Sequence, residues 1–168
     1  MSMPQFKTEF GSLKQFTKGH IEIINDQPMH YAFSNVFDVA SKSAPYEKVA
    51  VAINLEYVIE AIRAEGASAW MGAAHDEFCI VMDGQVEVEF IKLEQPDLVG
   101  SPEQAGTVAL HDEPAGKRMG KIVLQRGHQA LLPKGAAYRF KAEAPSVMIQ
   151  QTMAGALTVQ KWAEICYR

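Results

Sequence analysis

The sequence is poor in cysteine, in runs of positive charge and in long apolar segments. Cys79 and Cys166 are its only cysteines. Because two distant cysteines in a chain without an export signal are more often buried thiols than a disulfide, we expect both to be reduced. The longest stretch without a formal charge, 144–160, contains Pro145 and several glutamines. This stretch is therefore excluded as a membrane-spanning helix.

Charge and length narrow the class of protein further. The 168 residues include 16 Lys and Arg against 20 Asp and Glu, a formal net charge of -4. Nucleic-acid-binding proteins usually carry a basic stripe, and nothing of that kind is present, so we expect neither nucleic acid nor an anionic membrane as a partner. Residues 1–10 lack the apolar core of a signal peptide. We therefore expect one cytoplasmic domain that binds small molecules or proteins.

The first third of the chain predicts an arm, a short helix and a strand. Residues 1–33 are mixed and polar, with one β-like patch at 20–24. Ser34 can cap a short helix that must end before Pro45, because the residue before a proline avoids the helical region. Residues 48–53 place Val49, Val51 and Ile53 on one face, which is typical of a strand.

The segment 55–66 fits two structures. Its apolar residues recur at helical spacing, at Leu55, Val58, Ile59 and Ile62, and Gly66 is placed to end a helix. A strand also fits, with Leu55, Tyr57, Ile59 and Ala61 on one face. The pattern alone favours the helix by a small margin.

Residues 73–90 have the pattern of a β-hairpin. After Gly84 the apolar Val86, Val88 and Phe90 alternate with polar residues, as in a half-buried strand. Asp83-Gly84 supplies the predicted turn, because glycine adopts a positive φ without steric cost. His75 and Glu77 precede this hairpin, and whether they bind a metal decides most of the functional interpretation.

The C-terminal half predicts short strands after a long connection. Residues 94–119 are rich in Pro, Gly and polar side chains, and an unstructured connection of that length is usually functional or faces a partner. Four β-like runs follow at 121–125, 127–133, 138–142 and 146–152, which is typical of a barrel or sandwich. Residues 158–166 return to helical spacing, with Thr158 as the predicted cap.

Two blocks of the sequence resemble the two motifs of the cupin superfamily, small β-barrels that often hold a metal on three His and one Glu. In the second motif a Gly, five residues, Pro-x-Gly and two more residues precede a ligand His. Gly127, Pro133 and Gly135 match this spacing, and Tyr138 stands at the His position.

In the first cupin motif, His-x-His precedes a ligand Glu by three or four residues, and six residues separate that Glu from a Gly. Glu77 and Gly84 have the required interval. The two His positions fall on Met71 and Ala73, or with the longer spacing on Trp70 and Gly72. None of these residues can replace an imidazole. The resemblance therefore implies a degenerate metal site at Met71, Ala73, Glu77 and Tyr138.

Two interpretations of the remaining ionisable residues stay open. His75, Glu77 and His128 could form an unusual facial triad for iron, manganese or zinc. Alternatively, His75 and Glu77 are hydrogen-bonded polar residues near the mouth of the barrel. The other histidines stand in polar surroundings without ligand spacing and are expected at the surface: His20, His30 and His111.

Most of the chain also resembles the small subunit of two-component hydroquinone 1,2-dioxygenases. The likeness covers 31–43, 56–66 leading to His75-Asp76-Glu77, 127–138 and 160–165. It implies an all-β fold, a single cupin barrel (double-stranded β-helix or jelly-roll) with an N-terminal arm and short peripheral helices. The implied divisions are an arm and helix at 1–46, the barrel at 47–156 and a C-terminal helix at 157–168. It also implies a strand at 55–66.

The activity that the resemblance implies belongs to a complex. Two small and two larger cupin-like subunits form a heterotetramer, the larger carries Fe(II), and O2 opens the ring of hydroquinone, a small phenolic substrate, to 4-hydroxymuconic semialdehyde. This chain then holds no metal, cofactor or catalytic residue, and stabilises or shapes the iron subunit. Trp162 and the N-terminal arm are candidates for partner contacts, or they pack on their own barrel.

Two other functions stay open at this point. The chain could be a self-sufficient metallocupin that acts on a small aromatic or carbonyl compound through Glu77. It could also be a metal-free binding module with a pocket at the barrel mouth. The residues expected to line that pocket are Trp70, His75, Glu77 and Tyr138.

Overall fold

The computed structural model of the chain describes residues 11–17, 34–101 and 105–165. In this part, helix α1 spans Val36–Lys42, α2 spans Trp162–Ile165, and a 3-10 helix spans Pro96–Val99. The strands are β1 (Lys48–Asn54), β2 (Tyr57–Ala67), β3 (Trp70–Gly72), β4 (Glu77–Asp83), β5 (Gln85–Leu93), β6 (Val108–Leu110), β7 (Gly116–Gln125), β8 (Gln129–Leu132), β9 (Ala136–Met153) and β10 (Thr158–Val159). The predicted all-β fold with short helices is confirmed. His20, His30, Cys166 and the patch at 20–24 lie outside the described residues.

Strand β9 is the element around which the sheet curls. One of its edges pairs with β2 and, at Tyr138, with Met71 of β3. Its other edge pairs first with β5 and then with β4. Strands β1 and β10 extend the sheet beyond β2, while β8 pairs with β4 and β7 with β5. The main core inside the curl includes Ile62, Val81, Val88, Tyr138, Phe140 and Met148.

The segment that the pattern assigned to a helix is strand β2, so that prediction is wrong. The buried face of β2 consists of Val58, Glu60, Ile62 and Ala64, and Leu55 and Tyr57 are exposed. The pattern misled because the inward face contains a glutamate, whose charge is matched by the buried ammonium group of Lys48. The strand implied by the family resemblance is confirmed.

Strands β4 and β5 do not form the predicted hairpin. Both run in the same direction along β9, β4 opposite 147–151 and β5 opposite 136–141. Gly84 joins them at φ 80°, as a kink in one continuing line. A Cβ on Gly84 would collide with the side chain of Ser146, whose Oγ accepts a hydrogen bond from the Gln85 N–H at 3.1 Å. The glycine is required by the close approach of β9, because no other residue leaves that space empty.

Three further boundaries differ from the predictions. The runs at 138–142 and 146–152 are parts of one strand, β9, and the supposed unstructured connection contains the 3-10 helix, β6 and the start of β7. Thr158 is not a helix cap. It lies in β10 and donates a hydrogen bond from Oγ1 to Glu60 Oε1 at 2.8 Å, which holds it in the sheet. The predicted strand at 48–53 is confirmed as β1.

The two helices cover one part of the outer face of the sheet. Asn35, one residue after the predicted cap, accepts the Phe37 N–H at its Oδ1 at 3.0 Å, and α1 ends before Pro45 as expected. Val39 of α1 and Ile165 of α2 pack on Val49 and Ala61, with Trp162 partly buried beside them. No described helix has the length and apolar character needed to cross a membrane.

Candidate functional site

Two of the motif residues meet inside the barrel. Glu77 begins β4 and Tyr138 lies in β9, and their side chains are 2% and 1% exposed. The Tyr138 hydroxyl donates to Glu77 Oε2 at 2.7 Å, and Thr107 Oγ1 donates to Glu77 Oε1 at 2.5 Å. Both carboxylate oxygens therefore already accept a hydrogen bond from the protein.

This pair is part of a longer connected group, which we call the buried polar chain. Gln150 Nε2 donates to the Tyr138 hydroxyl at 2.8 Å, and Lys48 Nζ donates to Gln150 Oε1 at 3.0 Å. Lys48 Nζ also lies 2.8 Å from Glu60 Oε2. In order, the buried polar chain is Thr107, Glu77, Tyr138, Gln150, Lys48 and Glu60, and the partly exposed Thr158 donates to Glu60 at its end.

Burial controls the ionisation of two side chains near this group. Burial, followed by the negative charge of Glu77, raises the pKa of Tyr138 well above its ordinary value of 10.0. The phenol therefore remains a proton donor to the carboxylate. Burial also raises the pKa of the Cys79 thiol to about 12. Since the thiolate is the reactive form, Cys79 is an inert packing residue, and it is unpaired as predicted.

The residues at the degenerate positions do not fit a cupin metal. Met71 is buried opposite Tyr138 in the sheet register, and Ala73 is buried as well. A thioether, a methyl group and a phenol thus replace three imidazoles, and the oxygens of Glu77 are engaged. No group of three His, Cys, Asp or Glu side chains among the described residues is arranged to hold a metal ion. We therefore assign no metal chemistry to this barrel.

His75 and His128 lie apart from each other. His75 Nε2 accepts the Met153 N–H at 3.2 Å and lies 3.0 Å from Thr152 Oγ1, so it binds the end of β9. His128 is exposed before β8, and its carbonyl oxygen accepts the Val81 N–H at 2.9 Å. Val81 is four residues along β4 from Glu77, a distance of about 13 Å in a strand. The structure does not bring His75, Glu77 and His128 together.

Trp70 lies on the opposite side of the sheet from Tyr138. It packs with Ile91, Leu93 and Val99, and the Arg139 guanidinium carbon lies 4.7 Å from the centre of its ring. The reason is the alternation of a strand, which sends the adjacent Met71 inward and Trp70 outward. Of the four residues expected to line a pocket, the structure therefore joins Glu77 and Tyr138 and separates Trp70 from them. His111 is exposed.

Comparison with solved structures gives two close relatives. Hydroquinone 1,2-dioxygenase PnpCD in complex with Cd2+ and 4-hydroxybenzonitrile contains a chain 55% identical to this one, with a TM-score of 0.89 over 99% of this chain and 100% of that one. Hydroquinone 1,2-dioxygenase from Sphingomonas sp. TTNP3 with 4-hydroxybenzoate bound contains a chain 56% identical, with a TM-score of 0.92 over 97% and 98% of the two chains. The chain belongs to the family of hydroquinone 1,2-dioxygenase subunits.

The same enzyme also provides a more distant match. PnpCD in complex with Fe3+ contains a chain that is 12% identical to this dioxygenase subunit, with a TM-score of 0.60, covering 84% of this subunit and 39% of that chain. At such low identity the match shows a shared fold alone, in a chain more than twice as long. No protein-family model matches the subunit, and no curated protein matches it.

Several buried polar residues of this dioxygenase subunit were missed by the sequence analysis. Lys48, Glu60, Thr107 and Gln150 are all buried, yet none was a candidate. One signal was available for two of them. Glu60 alternates with Val58 and Ile62, and Gln150 alternates with Met148, so each lies at an inward position of an apolar strand.

Proposed function

We propose that this chain is the metal-free small subunit of a heteromeric non-haem iron dioxygenase. In this proposal a larger cupin-like subunit binds Fe(II), and two chains of each kind form the complex. The complex incorporates both atoms of O2 into hydroquinone and yields 4-hydroxymuconic semialdehyde. The chain is inactive alone, has a cytoplasmic location, and stabilises or shapes the iron-bearing subunit.

The observation that carries this proposal is the hydrogen bond between Tyr138 and Glu77. It joins Glu77, the one retained ligand residue of the motifs, to Tyr138, which stands at the position of a ligand His. With the hydrogen bond from Thr107, both carboxylate oxygens of Glu77 are engaged. Met71 and Ala73 fill the remaining positions with apolar groups. A barrel built in this way supplies a folded surface to a partner, and the catalytic metal is expected in the partner.

Metal analysis and activity assays of matched preparations test the proposal. The chain is purified alone and together with a candidate larger cupin-like chain, both are incubated with Fe(II) without oxygen, and unbound metal is removed before O2 and hydroquinone are added. We expect bound iron and ring cleavage only in the complex.

A Glu77→Gln variant of this chain serves as the matched control in both preparations. Because Glu77 is not a ligand in the proposal, an assembled complex with the variant keeps its bound iron. If the isolated wild-type chain binds stoichiometric iron and cleaves hydroquinone, and Glu77→Gln removes both properties, the chain is a self-sufficient metallocupin instead.

A further inference from the structure

A short segment of the chain lies across the end of the barrel at which β4 begins. We call residues 105–110 the strap, and they contain β6, the last strand of the sheet beyond β3. Thr107 of the strap is buried, and its hydroxyl group donates to Glu77 Oε1 inside the barrel. The carboxylate that binds a metal in the cupin motif therefore binds a segment of its own chain.

Two glycines allow the backbone of the strap to touch the barrel. Gly106 has a φ of 86°, and a Cβ at this position would lie 2.7 Å from Gly155 Cα, just beyond the end of β9. A Cβ on Gly155 would in turn collide with the carbonyl oxygen of Ala105. Because neither glycine has a side chain, the two backbones approach directly. The strap thus contacts the barrel at Gly155 and is hydrogen-bonded to it at Glu77.

Few other contacts hold the strap in place. Strand β6 pairs with β3 over three residues, and in the described part of the chain no backbone hydrogen bond joins 105–107 to a strand. Ala105 and Ala109 are exposed, while Val108 and Leu110 are half-buried. Local opening begins at elements that bury little apolar surface. The strap is therefore expected to separate from the barrel before the long strands separate from one another.

The interior behind the strap can accept water. Glu77, Tyr138 and Gln150 are buried there and joined by hydrogen bonds. When the Thr107 hydroxyl leaves, a water molecule can donate to Glu77 Oε1 in its place, so the opening leaves no unsatisfied carboxylate oxygen. Strand β4 is paired on both edges, with β8 and with β9. A route into the barrel past the strap therefore breaks fewer pairs than a route through β4.

We propose that the strap is a latch, which the Thr107 hydroxyl holds closed on Glu77, and that its release admits solvent to the barrel interior while the barrel strands stay paired. Glu77 is then the anchor of a movable segment. The latch depends on this chain alone, so it goes beyond the proposed function and does not require the complex to be active.

Hydrogen exchange of the full chain, followed by mass spectrometry of its peptides, tests the latch. Thr107→Val keeps the shape of the side chain and removes the hydroxyl. We expect it to make exchange in β3 and β6 faster by about tenfold or more, because a hydrogen bond to a buried carboxylate is lost. Thr107→Ser keeps a hydroxyl and should stay close to the wild-type rate.

Ser146→Ala is the matched control for this experiment. It also removes a buried hydroxyl group, but at the other end of β4, where Ser146 Oγ accepts the Gln85 N–H. We expect it to lower the overall stability and to leave exchange in β3 and β6 unchanged relative to exchange in the long strands.

The thiol of Cys79 reports whether release of the strap admits solvent to the interior. Cys79 lies two residues after Glu77 on the same inward face of β4 and is fully buried. In a Cys166→Ser background, its reaction with N-ethylmaleimide should be slow and independent of urea below the unfolding transition, because a local opening exposes little surface. Thr107→Val should raise this rate by about tenfold. Gly155→Ala, whose added Cβ displaces the strap, should raise it as well.

Three results would overturn the latch. Exchange in β3 and β6 could be unchanged by Thr107→Val, or it could be accelerated equally by Ser146→Ala. Alternatively, the reaction of Cys79 in Thr107→Val and in Gly155→Ala could rise with urea as steeply as global unfolding does, which would mean that the reagent enters only unfolded chains. If the variants behave as expected but no complex with a larger chain cleaves hydroquinone, the proposed function fails and the latch stands.

Discussion

Tyr138 shows how one residue can replace a metal ligand without leaving a buried group unsatisfied. Its hydroxyl donates to Glu77 and accepts from Gln150, so it connects the two. The motif spacing predicted that Glu77 and Tyr138 would stand at two ligand positions of the same degenerate metal site. It could not predict that a hydrogen bond would join them, because that depends on the side-chain geometry inside the curled sheet.

Removal of the Tyr138 hydroxyl is expected to lower the free energy of unfolding. Tyr138→Phe leaves Glu77 Oε2 and Gln150 Nε2 without this partner, which costs about 1–3 kcal/mol. Urea denaturation at pH 7 measures the change. Tyr57→Phe, in an exposed tyrosine, is the control and should stay within about 0.5 kcal/mol of wild type. Equal effects of the two variants would contradict the structural role of the Tyr138 hydroxyl.

Lys48 is the cation of the buried polar chain, and its removal is expected to be more harmful. Lys48→Met leaves Glu60 buried without its ammonium partner, a change that costs about 3–5 kcal/mol. The double variant Lys48→Met, Glu60→Met should recover part of this loss, because it leaves no unpaired charge. Lys141→Met, at a partly exposed ion pair with Glu89, should cost less than about 1 kcal/mol. A double variant less stable than Lys48→Met would refute this explanation.

At the scale of elements, the kink between β4 and β5 depends on Gly84. Gly84→Ala adds a strained positive φ and a collision with Ser146, whereas Gly127→Ala adds only the strain, since no atom lies within 4 Å of the added Cβ. We expect about 1–2 kcal/mol of destabilisation for Gly127→Ala and clearly more for Gly84→Ala. Urea denaturation of both variants measures the difference. A similar loss of stability in both variants would mean that the contact between residue 84 and Ser146 of β9 does not restrict the side chain at position 84.

The pairing of β5 with β9 should depend on pH through Glu89. Hydrogen bonding to Arg139, followed by that to Lys141, lowers the pKa of Glu89 below its ordinary 4.5, against the opposing effect of burial. The folded state therefore binds this proton less readily than the unfolded state. The resulting stability is present above about pH 4.5 and is lost as the pH falls through the lower folded pKa.

Glu89→Gln tests this linkage. At pH 7 the variant should be less stable than wild type by about 1 kcal/mol, and the difference should shrink as the pH falls from 5 to 3. Urea denaturation at several pH values measures it. A difference that stays constant with pH would show that Glu89 stabilises the fold by packing and not by its charge.

The elements that the sequence did not predict are those fixed by distant residues. The inward position of Glu60 in β2 is explained by its ion pair with Lys48 of β1, and the kink from β4 to β5 is packed against Ser146, which lies 62 residues after Gly84. The pattern of apolar residues along each segment gives no information on either contact. The motif spacing of Glu77, Gly84, Gly127, Pro133 and Gly135, by contrast, was sufficient for the cupin frame, because each motif is local.

For the whole molecule, the frame of a metal site persists although the ligands are gone. The triple variant Met71→His, Ala73→His, Tyr138→His, together with native Glu77, should therefore bind Zn2+ or Fe(II), since three imidazoles and a carboxylate suit these ions. Metal analysis after dialysis measures the bound ion. Tyr138→His alone is the control and should bind none. Failure of a folded triple variant to bind either ion would show that the frame no longer has the geometry of the site.

The central place of β9 has a consequence for how the chain is made. Strands β2, β3, β4 and β5 all pair with residues 136–153, so none of these ladders can close until synthesis has passed most of the 168 residues. On the ribosome, the β1–β2, β5–β7 and β4–β8 pairs can form earlier, but the edges of β2, β4 and β5 that meet β9 stay unpaired until residues 136–153 emerge. Such late, long-range closure is slow and leaves the chain prone to aggregation in the interval. Expression yield should accordingly depend on the rate at which the last strands emerge, and on any chaperone that shields the earlier ones.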